Sequence, residues 1–196
     1  SSTHGYSAGG YNYGPGYGQF SDIEKFSFAS EGAGVNCSNL SAETSYTAGS
    51  SSTTHGYTSG GFSTNWLFTS KIDKMSFATE ATASSIGNLS VAKRSPVGSA
   101  STTDGYVGGG HIGASRTNAI DKFAFSSNTT AASHGTLTVG AAAGMGQSST
   151  THGYISGGYT SPVIASIDKF PYASNSGATD HGDLTVAKRW GAGTQY

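Results

Sequence analysis

Three histidines and one aspartate stand at the same point of a repeated phrase. His4, His55, Asp104 and His152 each precede Gly-Tyr, in "SSTHGY", "SSTTHGY", "ASTTDGY" and "SSTTHGY". Brought to one axis, three imidazoles and a carboxylate would ligate a transition metal. The same residues also read as turn formers, since His and Asp hydrogen-bond locally beside glycine, and Asp for His suits either reading. A second set is the acidic residue of an "I-D/E-K" motif, Glu24, Asp73, Asp121 and Asp168. A pair of these could do acid–base work. Because the carboxylate recurs in every repeat with Lys after it, a salt-bridging or turn-capping role is the expectation. Lys93-Arg94 and Lys188-Arg189 are expected to pair with carboxylates of a neighbouring unit. Catalysis would need a constellation that breaks the repeat. None is present: there is no HExxH, no isolated acid pair, and no Ser-His-Asp set outside the repeated phrases. The glycine pairs lack the strand–loop–helix setting of a phosphate cradle. The expectation is a non-enzymatic chain with no cofactor.

The third set lies in four stretches of unequal length: Tyr11–Asp22, Phe62–Ser70, His111–Ala119 and Tyr159–Ser166. They carry Tyr11, Tyr13, Tyr17, Phe20, Trp66, His111, Arg116 and Tyr159. Aromatic rings among Ser, Thr and Asn suit a sugar ring or a protein surface, because stacking combines with adaptable hydrogen bonds. Loops also carry function more often than the strands beneath them. These eight residues are the candidate ligand-binding set, and the plainer alternative is that the aromatics plug one end of the fold.

Spacing supplies the frame. From Ile23, Ile72, Ile120 and Ile167 to Leu40, Leu89, Leu137 and Leu184 the distance is 17 residues in all four units. From Leu to the next His or Asp landmark it is 15 in each of the three that can be measured. The remaining leg, from that landmark to Ile, runs 19, 17, 16 and 15. All length variation therefore falls between the glycine pair and the Ile. Stacked supersecondary units behave this way, with strands held in register and one loop free to grow. Each unit reads as four short strands: "HGYTSGG", the "IDKMSFAT" type, the "NLSVAKR" or "TLTVG" type, and the stretch feeding the next unit. Apolar residues two apart, such as Phe123 and Phe125, share one sheet face. No apolar period of 3.6 lasts three turns, so helix is not expected.

Composition narrows the class. The 196 residues include 30 Gly and 11 Tyr, only 11% are charged, and the net charge is −1. No basic surface exists to track phosphates, so nucleic acid is not an expected partner. No apolar run approaches 18 residues, so membrane insertion is not expected either. Cys37 is alone and closes no disulfide within the chain. Sparse Lys with abundant Ser, Thr, Gly and Tyr suits secreted or virion-surface β proteins.

Glycine pair, variable loop, apolar strand with an acidic residue, Leu-containing strand, then a basic residue: this order resembles the Kelch motif. The pairs are Gly9-Gly10, Gly60-Gly61, Gly109-Gly110 and Gly157-Gly158, and Arg94 and Arg189 sit near the family's Arg position. The family's Trp is missing, since Trp66 and Trp190 lie elsewhere, and the first and third units lack Lys-Arg. The wording also looks like repeats in uncharacterised bacteriophage and marine viral proteins. The resemblance implies an all-β propeller with one blade per repeat, four blades of about 48 residues. The repeats run approximately 4–54, 55–103, 104–151 and 152–196 with 1–3, in one domain. Wrapping Tyr196 onto Ser1 restores the period, so the ring is expected to close by pairing of the N- and C-terminal segments. The alternative is half of an eight-bladed dimeric ring. The function implied is a binding or assembly module outside the cell or on a virion, facing a protein or glycan partner and open to homo-oligomerisation. The alternatives are a purely structural tail, fibre or capsid-decorating component, and a propeller hydrolase with carboxylates in the central funnel.

Overall fold

The computed structural model describes residues 1–14 and 18–193, and these contain no helix. Among the described residues nineteen strands follow one another. Sheet I holds β1 (His4–Asn12), β2 (Gly18–Ser27) and β3 (Val35–Asn39), in that order. After β4 (Thr44–Ser45) come β5 (Ala48–Ser51), β6 (His55–Ser59), β7 (Phe62–Ser63), β8 (Lys71–Ser76) and β9 (Ser84–Asn88). Sheet II is ordered β5-β6-β8-β9, while β7 pairs back with β4. Next are β10 (Val97–Ala100), β11 (Asp104–Gly108), β12 (His111–Ile112), β13 (Ser115–Arg116), β14 (Ala119–Ala124) and β15 (Ala132–Thr136). Sheet III is β10-β11-β14-β15, with β12 and β13 forming a separate hairpin. Sheet IV is β16 (Met145–Ser148), β17 (His152–Tyr159), β18 (Val163–Pro171) and β19 (Thr179–Asp183). All pairings among the described residues are antiparallel, with one three- or four-stranded sheet per sequence repeat.

The repeated phrase now has a physical reading. In "SSTTHGY" the Ser52 hydroxyl accepts from the His55 amide at 3.0 Å, and Thr54 Oγ1 lies 2.8 Å from His55 Nδ1, which makes a compact turn. The glycine that follows lies under the aromatic of the "IDKF" strand. A Cβ at Gly105 would fall 2.4 Å from the Phe123 ring, and one at Gly153 within 2.2 Å of the Phe170 ring. Tyrosine then faces the next sheet. Both members of each glycine pair have positive φ, for example 65° and 114° at Gly60 and Gly61, a region closed to most side chains. The elastic leg is the hairpin joining β1 to β2 in sheet I and the second to the third strand in sheets II to IV, which lengthens without disturbing the register below it.

At every "I-D/E" step the register slips by one residue, at Ile23/Glu24, Ile72/Asp73, Ile120/Asp121 and Ile167/Asp168. Such a bulge re-aims the side chain beside it. Asp73, Asp121 and Asp168 are thereby buried against the preceding sheet. Ser41 donates both amide and hydroxyl to Asp73, and Thr138 does the same to Asp168. The Ser90 amide reaches Asp121 at 3.4 Å. This corrects one strand expectation. "LSVAKR" and "LTVG" are linkers, and the outer strand is the upstream Ser-rich stretch, such as Ser84–Asn88. Because the amide after Leu89 bonds a carboxylate, the chain leaves the ladder there.

The core is divided among sheet–sheet interfaces. Ile72, Ile86, Leu89 and Tyr57 of sheet II meet Val107, Phe123 and Ala131 of sheet III. Tyr106, Ile120 and Leu137 of sheet III meet Ile155, Phe170 and Tyr172 of sheet IV. Ile23 and Leu40 of sheet I meet Met75 and Ala83 of sheet II. The innermost strands touch through glycine: a Cβ at Gly98 would lie 2.1 Å from the Gly49 carbonyl, and one at Gly146 1.9 Å from that of Gly98. The C-terminal segment continues the series, Gly193 against the Gly146 carbonyl.

The expected fourth interface, sheet IV on sheet I, is not formed by the described residues. Phe26 and Phe28 on sheet I are 47% and 61% exposed, and Val186 after sheet IV is 63% exposed. Gly49, which Gly193 would cover in a closed ring, has nothing within 4 Å. The rest of the C-terminal strand expected to complete the ring falls on residues 194–196, outside the described residues. Sheet I accordingly has three strands. A cavity of about 560 Å³ lies between it and sheet II, lined by Tyr6, Tyr57, Met75 and Phe77 among others.

Candidate functional site

The His/Asp set is engaged in local turn contacts. Each imidazole or carboxylate engages the hydroxyl of the preceding Thr: His4 with Thr3, His55 with Thr54, Asp104 with Thr103, His152 with Thr151. The four turns do converge, but the cavity of about 540 Å³ between them is lined by Ser, Thr and Ala. Among the described residues no group of three or more His, Cys, Asp or Glu could hold a metal. The turn reading accounts for these residues.

The variable hairpins behave differently. Backbone pairs tie each linker to the next sheet's hairpin: β4 to β7, Arg94 to His111, and Ala142 to Tyr159. These straps gather the candidate residues into two groups. In the first, the Tyr11 ring lies 4.5 Å from Tyr13 and 5.7 Å from Trp66. Tyr11, Gln19, Phe20, Glu43, Thr64, Trp66 and Gly18 line a cavity of about 440 Å³. Tyr13 hydroxyl bonds Tyr46 hydroxyl at 2.8 Å, and the Tyr46 ring lies 5.8 Å from that of Trp190. Trp66 is 54% exposed with φ of 58°, an unfavourable conformation for a large side chain displayed to solvent. Gln19 is buried, and its Nε2 has no hydrogen-bond partner among the described residues. Tyr17 lies outside the described residues.

In the second group, Arg116 and Arg189 lie 4.5 and 4.4 Å from the Tyr159 ring centroid. His111 is 6.5 Å from that ring. Arg94 sits over Phe62 at 5.2 Å and Phe68 at 5.7 Å. Burial first, then the charges of Arg94, Arg116 and Arg189, push the His111 imidazole below its ordinary range. A hydrogen bond from Ser161, then the two arginines over it, lower the Tyr159 hydroxyl. The ion pairs of the described residues all use lysine. Arg94 Nε and Arg116 Nε are buried without a hydrogen-bond partner.

Arg116 is thus not the lone cation that the loop sequences suggest. Arg94 and Arg189, expected to meet carboxylates, stack on rings instead, whereas Lys93 does meet Asp121 at 2.9 Å. A signal was available: the hairpins 62–70, 111–119 and 159–166 contain no Asp or Glu, so a guanidinium among them finds rings rather than a carboxylate within those hairpins. Gln19, Glu43 and Thr64 were missed because nothing in their spacing repeats. Asp73, Asp121 and Asp168 are engaged between sheets, away from this end.

No family model and no curated protein matches the chain. Among solved structures, that of YjhT, a β-propeller-like protein, superposes with a TM-score of 0.80 at 13% identity. The match covers 97% of this chain and 70% of that one. At this identity the likeness concerns the fold alone.

Proposed function

We propose that the four sheets are consecutive blades of a divergent Kelch-like β-propeller, and that the chain is a non-enzymatic binding module. Its binding surface is the hairpin end, offered to a glycan or protein partner outside the cell or on a virion. The supporting observation is the cavity of about 440 Å³ in which Tyr11, Phe20 and the strained Trp66 surround a buried, unpartnered Gln19 amide and the Glu43 carboxylate. Flat rings beside fixed polar groups bind rings that carry hydroxyls. The arginines stacked around Tyr159 extend this surface toward a partner bearing acidic groups. Rigid sheets hold the hairpins in place, so little ordering entropy is lost on contact.

The test is binding to an array of immobilised neutral and acidic glycans and to candidate surface proteins. Trp66→Ala is expected to weaken capture by about tenfold or more, as hot-spot aromatics do. Replacing Tyr11–Asp22 with Gly-Ser is expected to abolish it while far-UV circular dichroism stays unchanged. Capture that survives both changes removes the hairpin end as the binding surface. The second reading, an assembly component, is favoured by the exposed Phe26 and Phe28 on sheet I.

A further inference from the structure

We propose that the free face of sheet IV docks on the free face of sheet I of a second copy of this chain, repeating the contact already made three times within it. The inference rests on reading the sheets as successive blades. Each internal interface uses the same positions. A tyrosine two residues after the His/Asp landmark stacks on an aromatic five residues after the Ile of the next sheet: Tyr6 on Phe77 at 4.7 Å, Tyr57 on Phe125 at 4.6 Å, Tyr106 on Tyr172 at 4.6 Å. The same count places Tyr154 on sheet IV and Phe28 on sheet I. Tyr154 is half-buried beside His181, and Phe28 is 61% exposed.

The polar positions repeat in the same way. The residue after the repeat Leu bonds the next sheet's carboxylate, as Ser41, Ser90 and Thr138 do with Asp73, Asp121 and Asp168. The corresponding pair at the free ends is Thr185 and Glu24, and both are exposed. Lys93 is buried against Asp121, and Lys25 bonds Glu80 of the next sheet at 2.6 Å. Their counterparts are Lys188 with Glu24, and Lys169 with Glu31. The free face of sheet IV therefore offers two lysines where the free face of sheet I offers two glutamates. At the axis, Gly193 sits on Gly146 as Gly146 sits on Gly98, and Gly49 is the uncovered member that another copy's Gly193 would meet.

A single chain thus carries both halves of one interface, and in this structure they do not meet each other. Such a surface is heterologous: it closes a ring when the rotation between copies permits and extends otherwise.

Native mass spectrometry and light scattering over a concentration series test the docking. The expected result is complexes of two or more copies of the 19.8 kDa chain. Phe28→Ser and Lys188→Glu should each weaken association by about tenfold or more. Glu24→Lys should restore it when combined with Lys188→Glu in the same chain. Phe28 and Lys188 are exposed, so circular dichroism of these variants should match that of the wild type. Trp66→Ala, at the hairpin end, should leave association unchanged. A monomer at every concentration up to about 1 mM overturns the proposal, and so do oligomers indifferent to Phe28→Ser and Lys188→Glu. A monomer that still loses partner capture with Trp66→Ala would remove this docking and leave the binding function standing.

Discussion

The contact between sheets II and III and the free faces of sheets I and IV are built from the same sequence positions in opposite environments. Between II and III, Lys93 Nζ lies 2.9 Å from Asp121 Oδ2 with both side chains out of water, and Tyr57 stacks on Phe125. At the free faces the matching Lys188, Glu24 and Phe28 are exposed. Ile167 and Leu184 are only half-buried, while Ile72, Ile120, Leu89 and Leu137 are fully covered. The comparison teaches that the "IDKF" carboxylate has no fixed role. It becomes a buried structural acid only where a neighbouring linker brings an amide or hydroxyl to meet it. Otherwise it remains a solvated surface charge.

The sharpest way to break that comparison is to remove one carboxylate from each environment. Asp121→Ala leaves the Lys93 ammonium buried without its partner, and should cost about 3–5 kcal/mol of folding stability. Glu24→Ala should cost less than about 0.5 kcal/mol at concentrations where the chain is monomeric. Urea unfolding of both variants, followed by tyrosine fluorescence, gives the two values. Equal losses would mean that the repeat position, rather than its neighbour, sets the role.

A smaller effect separates the glycines of the axis. A Cβ at Gly98 would sit 2.1 Å from the Gly49 carbonyl, so Gly98→Ala must shift one inner strand against another, at about 1–3 kcal/mol. Gly49 has open space, and Gly49→Ala should be neutral or stabilising by about 0.5 kcal/mol, since alanine restricts the unfolded chain. Thermal unfolding of the two variants reads the difference. A matching loss at Gly49 would show that its position is already covered in solution.

How much of this was legible follows from what repeats. The all-β class, four units and one variable leg per unit came from fixed spacings, because strands that pair must keep register. The outer strand was misplaced by a few residues. Its Ser84–Asn88 stretch has one apolar residue to mark a face, while "LSVAKR" alternates without forming a strand. The hairpin end was partly legible. Tyr11, Phe20 and Trp66 announce themselves as aromatics in an elastic stretch, but Gln19 and Glu43 join them only through the pairing of β1 with β2 and of β4 with β7. The open fourth interface was invisible, because counting residues measures the period of a repeat and says nothing of the angle between sheets.

The smallest contrast is electrostatic, and Tyr106 carries it. Its ring is 1% exposed between sheets III and IV, and burial first, then the charge of Asp104, push its hydroxyl up to about 12. An unfolded tyrosine titrates near 10. Below pH 10 the phenol is neutral in both states, and its contribution is fully present. Between about 10 and 12 the unfolded chain loses the proton while the folded one keeps it, so stability falls as pH rises and the contribution is gone above the folded value. Tyr106→Phe removes the titrating group but keeps the ring that stacks on Tyr172 at 4.6 Å. The stability difference between wild type and Tyr106→Phe should therefore stay flat to pH 10, then shift against the wild type up to pH 12. Stability measured at half-unit steps over that range checks the sign. A flat difference throughout would mean that water reaches the Tyr106 hydroxyl, and that the sheet III–sheet IV contact is as open at this point as the free faces are.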